Sequence, residues 1–140
     1  MLREYAAWIG DEFWVGDFED ELASLPRWYE VLLVARDEEG ALVGTVAVKR
    51  LPDGAAELKR LYVRAAARGT GLGKALARAA IGRARELGFT VMRLDTLPKM
   101  EAARGIYASL GFTPCEPWVE HPIAGVLFFD LNLLEEPGSI

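Results

Sequence analysis

The residues best placed to do chemistry in this chain are Arg68-Gly69-Thr70-Gly71-Leu72-Gly73-Lys74, three glycines at alternate positions between two cations. Glycine enters backbone conformations that other residues avoid, and it leaves main-chain N–H groups open to a ligand. An amphipathic helix follows directly, because Leu72, Ala75, Leu76, Ala79, Ala80, Ala84 and Leu87 recur at three- and four-residue steps while Lys74, Arg78 and Arg85 fall elsewhere. The first N–H groups of such a helix have no internal acceptor and lie at the positive end of its dipole, so the turn suits an anion such as a phosphate. The plain alternative is a tight strand-to-helix connection that needs glycine for its geometry alone. Two common phosphate-binding patterns fail here. Arg68 stands where a Walker loop has its first glycine and Ala75 where it has Ser or Thr, and no three of the glycines match G-x-G-x-x-G.

The elements that must hold this turn are legible around it. Ala56-Glu57-Leu58-Lys59-Arg60-Leu61-Tyr62-Val63 is short and partly alternating, which suits a half-buried strand. Upstream, Val31-Leu32-Leu33-Val34-Ala35-Arg36 and Leu42-Val43-Gly44-Thr45-Val46-Ala47-Val48 flank the turn signal Asp37-Glu38-Glu39-Gly40, so a hairpin is expected. Pro52-Asp53-Gly54 is a second turn. Three antiparallel strands therefore precede the glycine-rich turn. Downstream, Leu87-Gly88-Phe89 and Leu110-Gly111-Phe112 both read as helix ends with glycine in the left-handed position. Between them lie a strand over residues 90–94 and a helix over residues 100–110, with Ala103, Ile106, Tyr107 and Leu110 on one face. The crossover makes the strands at 57–63 and 90–94 parallel. Residues 125–133 read as a closing strand, approached through a loop that Pro114, Pro117 and Pro122 keep irregular.

In the first third, Leu2, Tyr5, Ala6 and Ile9 share a helical face before Gly10, and a second helix is expected over residues 17–25 before Pro26. The aromatics Trp8, Phe13, Trp14, Phe18, Trp28 and Tyr29 are read as packing these helices on the sheet. The 140 residues, 51% hydrophobic and 26% charged, suit one soluble globular domain spanning the chain. A formal net charge of −5 opposes polyanions, so nucleic acid is not the expected partner. Neither a signal peptide nor a membrane span is legible, and the single cysteine, Cys115, forms no internal disulfide, which points to the cytoplasm. Cys115 lacks a basic or histidine neighbourhood and reads as a small apolar residue; His121 reads as a surface residue, and no Cys/His cluster suggests a metal.

Arg68, Gly71 and Gly73 meet the pattern Arg-x-x-Gly-x-Gly, and with Leu94-Asp95-Thr96 and Ala103, Tyr107, Gly111 and Phe112 at the expected distance, residues 57–114 resemble the GNAT superfamily of N-acetyltransferases. The resemblance implies a mixed α/β fold, antiparallel strands followed by a β-α-β-α unit, with the family's usual first strand missing. An open sheet edge would then be covered either by another segment or by a partner chain, such as a second copy in a homodimer. The resemblance further implies acetyl-coenzyme A as cosubstrate, its pyrophosphate held by Arg68, Gly69, Thr70, Gly71, Leu72, Gly73 and Lys74. The implied reaction moves the acetyl group directly to a primary amine of a small molecule or peptide, with no metal and no membrane.

By the same resemblance, Tyr107 stands where many members place a hydroxyl near the thioester sulfur, suited to protonating the leaving thiolate. Packing with Ile106 and Leu110 is the competing reading. Leu61, Tyr62 and Val63 match the strand end whose backbone faces the pantetheine arm and the thioester oxygen. Glu57 matches a general base of some relatives, against an ion pair with Lys59. Met100 replaces an asparagine that contacts the coenzyme in many relatives, and Arg104 is a candidate for its adenosine end. Acceptor specificity is expected in the aromatic first third and in residues 116–124. Two other functions compete: a sensor that binds acyl-coenzyme A without catalysis, and a nucleotide enzyme with Asp95 on a ribose hydroxyl.

Overall fold

The computed structural model describes residues 13–17, 29–119 and 125–134. Strands β1 (Phe13–Asp17), β2 (Val31–Asp37), β3 (Leu42–Arg50) and β4 (Ala56–Val63) lead to helix α1 (Leu72–Glu86). Then follow β5 (Val91–Thr96), α2 (Glu101–Ser109), β6 (Thr113–Pro114) and β7 (Leu127–Asn132). The strands form one seven-stranded sheet in the order β1-β2-β3-β4-β5-β7-β6, antiparallel throughout except for β4 beside β5. Among the described residues no helix is long and apolar enough to cross a membrane.

Local chemistry explains the connections. In the β2–β3 turn the Asp37 carboxylate accepts hydrogen bonds from the N–H groups of Glu39 and Ala41 at 3.0 and 2.9 Å, an arrangement that short acidic side chains favour. Both helices end as the sequence predicts: Phe89 N–H donates to the Ala84 carbonyl and Phe112 N–H to the Tyr107 carbonyl, each at 3.1 Å, across a glycine with positive φ.

One expectation needs correction. A strand does precede the hairpin: β1 pairs antiparallel with β2 from Phe13↔Asp37 to Asp17↔Leu33, so four strands, not three, come before the glycine-rich turn. The edge left open by the apparent loss of a first strand is covered by the chain itself. Five residues containing Gly16 carry too little alternation to mark a strand, and the pairing that defines it is main-chain. The expected helices over Leu2 to Ile9 and residues 17–25 lie outside the described residues, apart from Asp17, which ends β1.

The core lies between the sheet and α1. Leu33, Val46, Val48, Ala56 and Met92 on the sheet meet Leu72, Leu76, Ala80 and Ala84 on the helix, all buried. Alanine on the buried helix face brings the backbone of α1 close to the sheet, and Gly44 of β3 makes the approach closer still. A Cβ on Gly44 would stand 2.7 Å from Leu76 Cδ1 and 3.1 Å from the Tyr62 carbonyl oxygen, so the site has no room for one. Gly44→Ala should therefore overpack the seam and lower stability by about 1–3 kcal/mol. Denaturant unfolding should report a lower midpoint at unchanged slope.

Candidate active site

β4 and β5 begin as neighbours and then part. Their parallel ladder holds only Ala56↔Met92 and Glu57↔Arg93, so no strand faces the rest of β4 on that side among the described residues. Further along, β4 carries a bulge. The register with β3 runs Ala47↔Lys59 and then Thr45↔Tyr62, leaving Arg60 and Leu61 opposite Val46 alone. Arg60 has φ 59°, the only non-glycine residue with positive φ among those described.

The bulge decides which backbone groups face the opening. Arg64 N–H donates to the Val43 carbonyl at 2.8 Å, so alternation turns the N–H and carbonyl groups of Tyr62 toward β3 as well. Those of Leu61 and Val63 point the other way, into the space between β4 and β5. The Val63 carbonyl is met there by Arg68 Nε at 3.1 Å. Of the three strand-end residues named from the sequence, Leu61 and Val63 thus offer N–H groups to the opening. Tyr62 does not, and its ring is exposed on the face opposite α1.

The glycine-rich turn closes the far end of the same opening. Gly69 and Gly71 have φ of 80° and 86°, a conformation costly for any residue with a Cβ, and Gly71 caps α1 without a side-chain bond. The first helical bond is Ala75 N–H to the Gly71 carbonyl, so the N–H groups of Leu72, Gly73 and Lys74 have no acceptor within the helix. Thr70 Oγ1 donates to the Ala67 carbonyl and pins the turn from within. Gly73 serves packing: a Cβ there would lie 3.1 Å from Ile106 Cδ1 and 3.6 Å from Val63 Cγ2. Its absence lets α1 sit against both α2 and the end of β4.

Tyr107 lies on α2 as part of the buried core. Its ring is 7% exposed and meets Phe112 edge-on, centroids 5.8 Å apart, so the packing reading holds for the ring. The hydroxyl is a separate matter: no described residue hydrogen-bonds it. Burial, with Asp95 adding a smaller push, raises the phenol to about 12.

On the face opposite α1, cross-strand partners form a row of alternating charge, Lys49↔Glu57, Glu57↔Arg93 and Arg93↔Asp130. Glu57 is 6% exposed and its Oε2 lies 3.6 Å from Lys59 Nζ, the ion pair that the sequence offered as the alternative to a base. Arg93 bonds Asp53 and holds its carboxyl below the usual carboxylate range. The guanidinium lies 5.9 Å above the Trp118 ring, which meets Phe128 edge-on. Cys115 is partly buried beside Asp130; burial first and that carboxylate second push its thiol up, which matches an unreactive side chain.

Met100 is the N-cap of α2 and makes no side-chain cap bond. Arg104, a candidate for the adenosine end of a ligand, donates from Nη2 to the Pro98 carbonyl at 2.7 Å and so holds the β5–α2 loop; its buried Nε has no partner. His121 lies outside the described residues. Among those residues no group of three His, Cys, Asp or Glu side chains is arranged to hold a metal.

The bulge is what a sequence reading misses. Its signal was present, since Leu58, Leu61 and Val63 recur at three and then two residues, a break that an inserted residue explains.

The perturbed phenol gives a testable pH dependence. Above pH 10 the unfolded chain releases a proton that folded Tyr107 still holds, so its contribution to stability is complete below pH 10 and is lost as pH rises toward about 12. Denaturant titrations across that window should show a steeper alkaline loss for wild type than for Tyr107→Phe.

Residues 3–112 match the profile of the acetyltransferase (GNAT) family. An uncharacterized N-acetyltransferase from Schizosaccharomyces pombe is 38% identical over 138 residues, covering 95% of this chain and 85% of that protein. A Klebsiella pneumoniae structure assigned as an acyl-CoA N-acyltransferase superposes with TM-score 0.75 at 24% identity, over 89% of this chain and 99% of that one. A Salmonella typhimurium protein solved with its cofactor acetyl-CoA superposes with TM-score 0.63 at 27% identity, over 79% and 68% of the two chains.

Proposed function

Because the chain belongs to the acetyltransferase (GNAT) family, we propose that it moves the acetyl group of acetyl-coenzyme A directly to a primary amine of a small molecule or peptide, with the space between β4 and β5 as the reaction centre. The observation that carries this reading is the early end of the β4–β5 ladder. It leaves Leu61 and Val63 with outward N–H groups on a line that ends at the glycine-rich turn.

The chain's groups fit such a ligand. A pyrophosphate wants convergent N–H donors and positive charge, which residues 69–74 and the start of α1 supply, with Arg68 and Lys74 alongside. An extended amide-bearing arm suits a strand with no neighbour, since it can take the hydrogen bonds that β5 leaves unmade. Beyond it, Leu61 N–H is the donor for a carbonyl oxygen that gains negative charge as the amine attacks.

Tyr107 serves the departing sulfur. A phenol at about 12 does not surrender its proton outright to a thiolate of ordinary pKa near 8.5, a gap of about 3.5 units or about 5 kcal/mol. Its role is to hydrogen-bond the sulfur while charge builds there. The phenol proton passes to sulfur only as the phenol oxygen takes one from the amine nitrogen, which sheds it as the amide forms, so no free phenolate is left. Glu57 lies four residues from Leu61, about 13 Å along an extended strand, so it reaches the nucleophile only through water. We assign it the distal end of such a relay, which takes the extra proton of an amine that arrives as ammonium, with Lys59 holding its carboxylate in place.

Coenzyme A should raise the melting temperature where NAD or ATP at equal concentration does not, because a ligand that binds only the folded state stabilises it by mass action. Equal shifts with NAD would remove the assignment. A panel of primary amines assayed by thiol release identifies the acceptor, and coenzyme binding without release from any amine would favour the sensor reading. With an acceptor in hand, Tyr107→Phe should lower kcat by roughly ten- to a thousandfold while leaving coenzyme binding nearly unchanged. An unchanged kcat would leave Tyr107 with packing alone.

A further inference from the structure

We infer that Thr45, on the neighbouring strand β3, is a positioning residue that aims the Leu61 N–H into the reaction centre through the Arg60 carbonyl. The inference rests on the proposed acetyl transfer and deepens it. Its basis is geometric. The peptide joining Arg60 to Leu61 is planar and trans, so the Arg60 carbonyl and the Leu61 N–H point in opposite directions. Thr45 Oγ1 donates to that carbonyl at 2.9 Å and draws it toward β3. The N–H on the same plane is thereby turned away from β3, toward the space that β5 vacates.

This plane needs a clamp. Arg60 sits at φ 59°, a region that costs a residue with a Cβ on the order of 1 kcal/mol or more and persists only where the surroundings enforce it. The bulge leaves Arg60 and Leu61 sharing Val46 as their opposite residue, so the regular ladder does not fix the peptide between them. Two side-chain bonds do. Thr45 holds the carbonyl, and the Tyr29 hydroxyl accepts from Arg60 Nε at 2.9 Å, which anchors the other end of the same residue. Among the aliphatic residues Val43, Val46 and Val48, a threonine matches valine in shape and adds only the hydroxyl that makes this bond.

The test is spectroscopic, so it needs no identified amine. Acetyl-coenzyme A labelled with carbon-13 at the acetyl carbonyl is bound to wild type, Thr45→Val and Thr45→Ser, and its carbonyl stretch is recorded by isotope-edited infrared difference. The carbonyl should absorb at higher frequency in Thr45→Val, reporting a weakened bond from Leu61. Thr45→Ser should return it to the wild-type position, and coenzyme A affinity should be the same in all three. Thr45→Ala provides the same comparison where the valine methyl fails to pack. With a working acceptor, kcat should fall about tenfold in Thr45→Val, a part of the 10²–10³-fold expected for outright loss of one such donor. Identical carbonyl frequencies in wild type and both hydroxyl-free variants would overturn the inference and leave the acetyl-transfer proposal standing. A wild type that binds no acetyl-coenzyme A would overturn both.

Discussion

The rest of this structure depends on where the pairing of β4 and β5 stops. Parallel strands ordinarily continue side by side, because an unpaired row of N–H and carbonyl groups in a sheet interior has nowhere else to go. Here the ladder ends after two residue pairs. What lies beyond is a slot whose one wall is half a strand, with donors and acceptors already in strand geometry. A ligand that presents amides in an extended conformation completes the sheet, so the binding energy comes from bonds the fold has left unmade.

Opening the sheet at that point puts weight on α1, which must hold β4 without help from β5. The sequence answers with small residues. Alanines along the buried helix face, Gly44 beneath Leu76, and Gly73 against Ile106 and Val63 let helix and sheet approach more closely than larger side chains allow. The glycine-rich turn consequently has two jobs in one heptapeptide. Gly69 and Gly71 supply positive φ for the turn, while Gly73 has an ordinary helical role and is small for packing. In the proposed acetyl transfer this would couple phosphate recognition to core packing, since the helix start offered to the ligand is also the contact that holds α2.

Much of this was legible in the sequence, for physical reasons that separate the successes from the misses. The hairpin, the crossover and both helix ends follow from local periodicity and from glycines whose left-handed role depends on their immediate neighbours. The glycine-rich turn and the helix that carries Tyr107 were recognisable because alternate glycines and three- and four-residue spacing mark a turn and a helix locally. β1 was missed because an edge strand of five residues is defined by its pairing with Leu33 to Asp37, 16 to 24 residues further along the chain and invisible to any local pattern. The row of Lys49, Glu57, Arg93 and Asp130 was missed for the same reason, its members lying on four strands far apart in sequence. Thr45 was unreadable in principle: nothing in Gly44-Thr45-Val46 marks a hydroxyl that bonds a carbonyl fifteen residues away.

The division of labour at the site follows from burial. Burying Tyr107 holds its ring in place and keeps its phenol protonated through the physiological range, but the same burial makes the phenol a reluctant acid. In the proposed acetyl transfer, a side chain so placed would serve by donating a hydrogen bond and passing protons on. Under that proposal the charge that develops on oxygen would be met by main-chain N–H groups, which carry no pKa to be shifted and need only be aimed. Aiming is done by the bulge, through one strained residue and a hydroxyl on the next strand. On the proposed mechanism the catalytic demand would thus fall less on the reactive side chains that a sequence displays than on the orientation of a single peptide plane in β4.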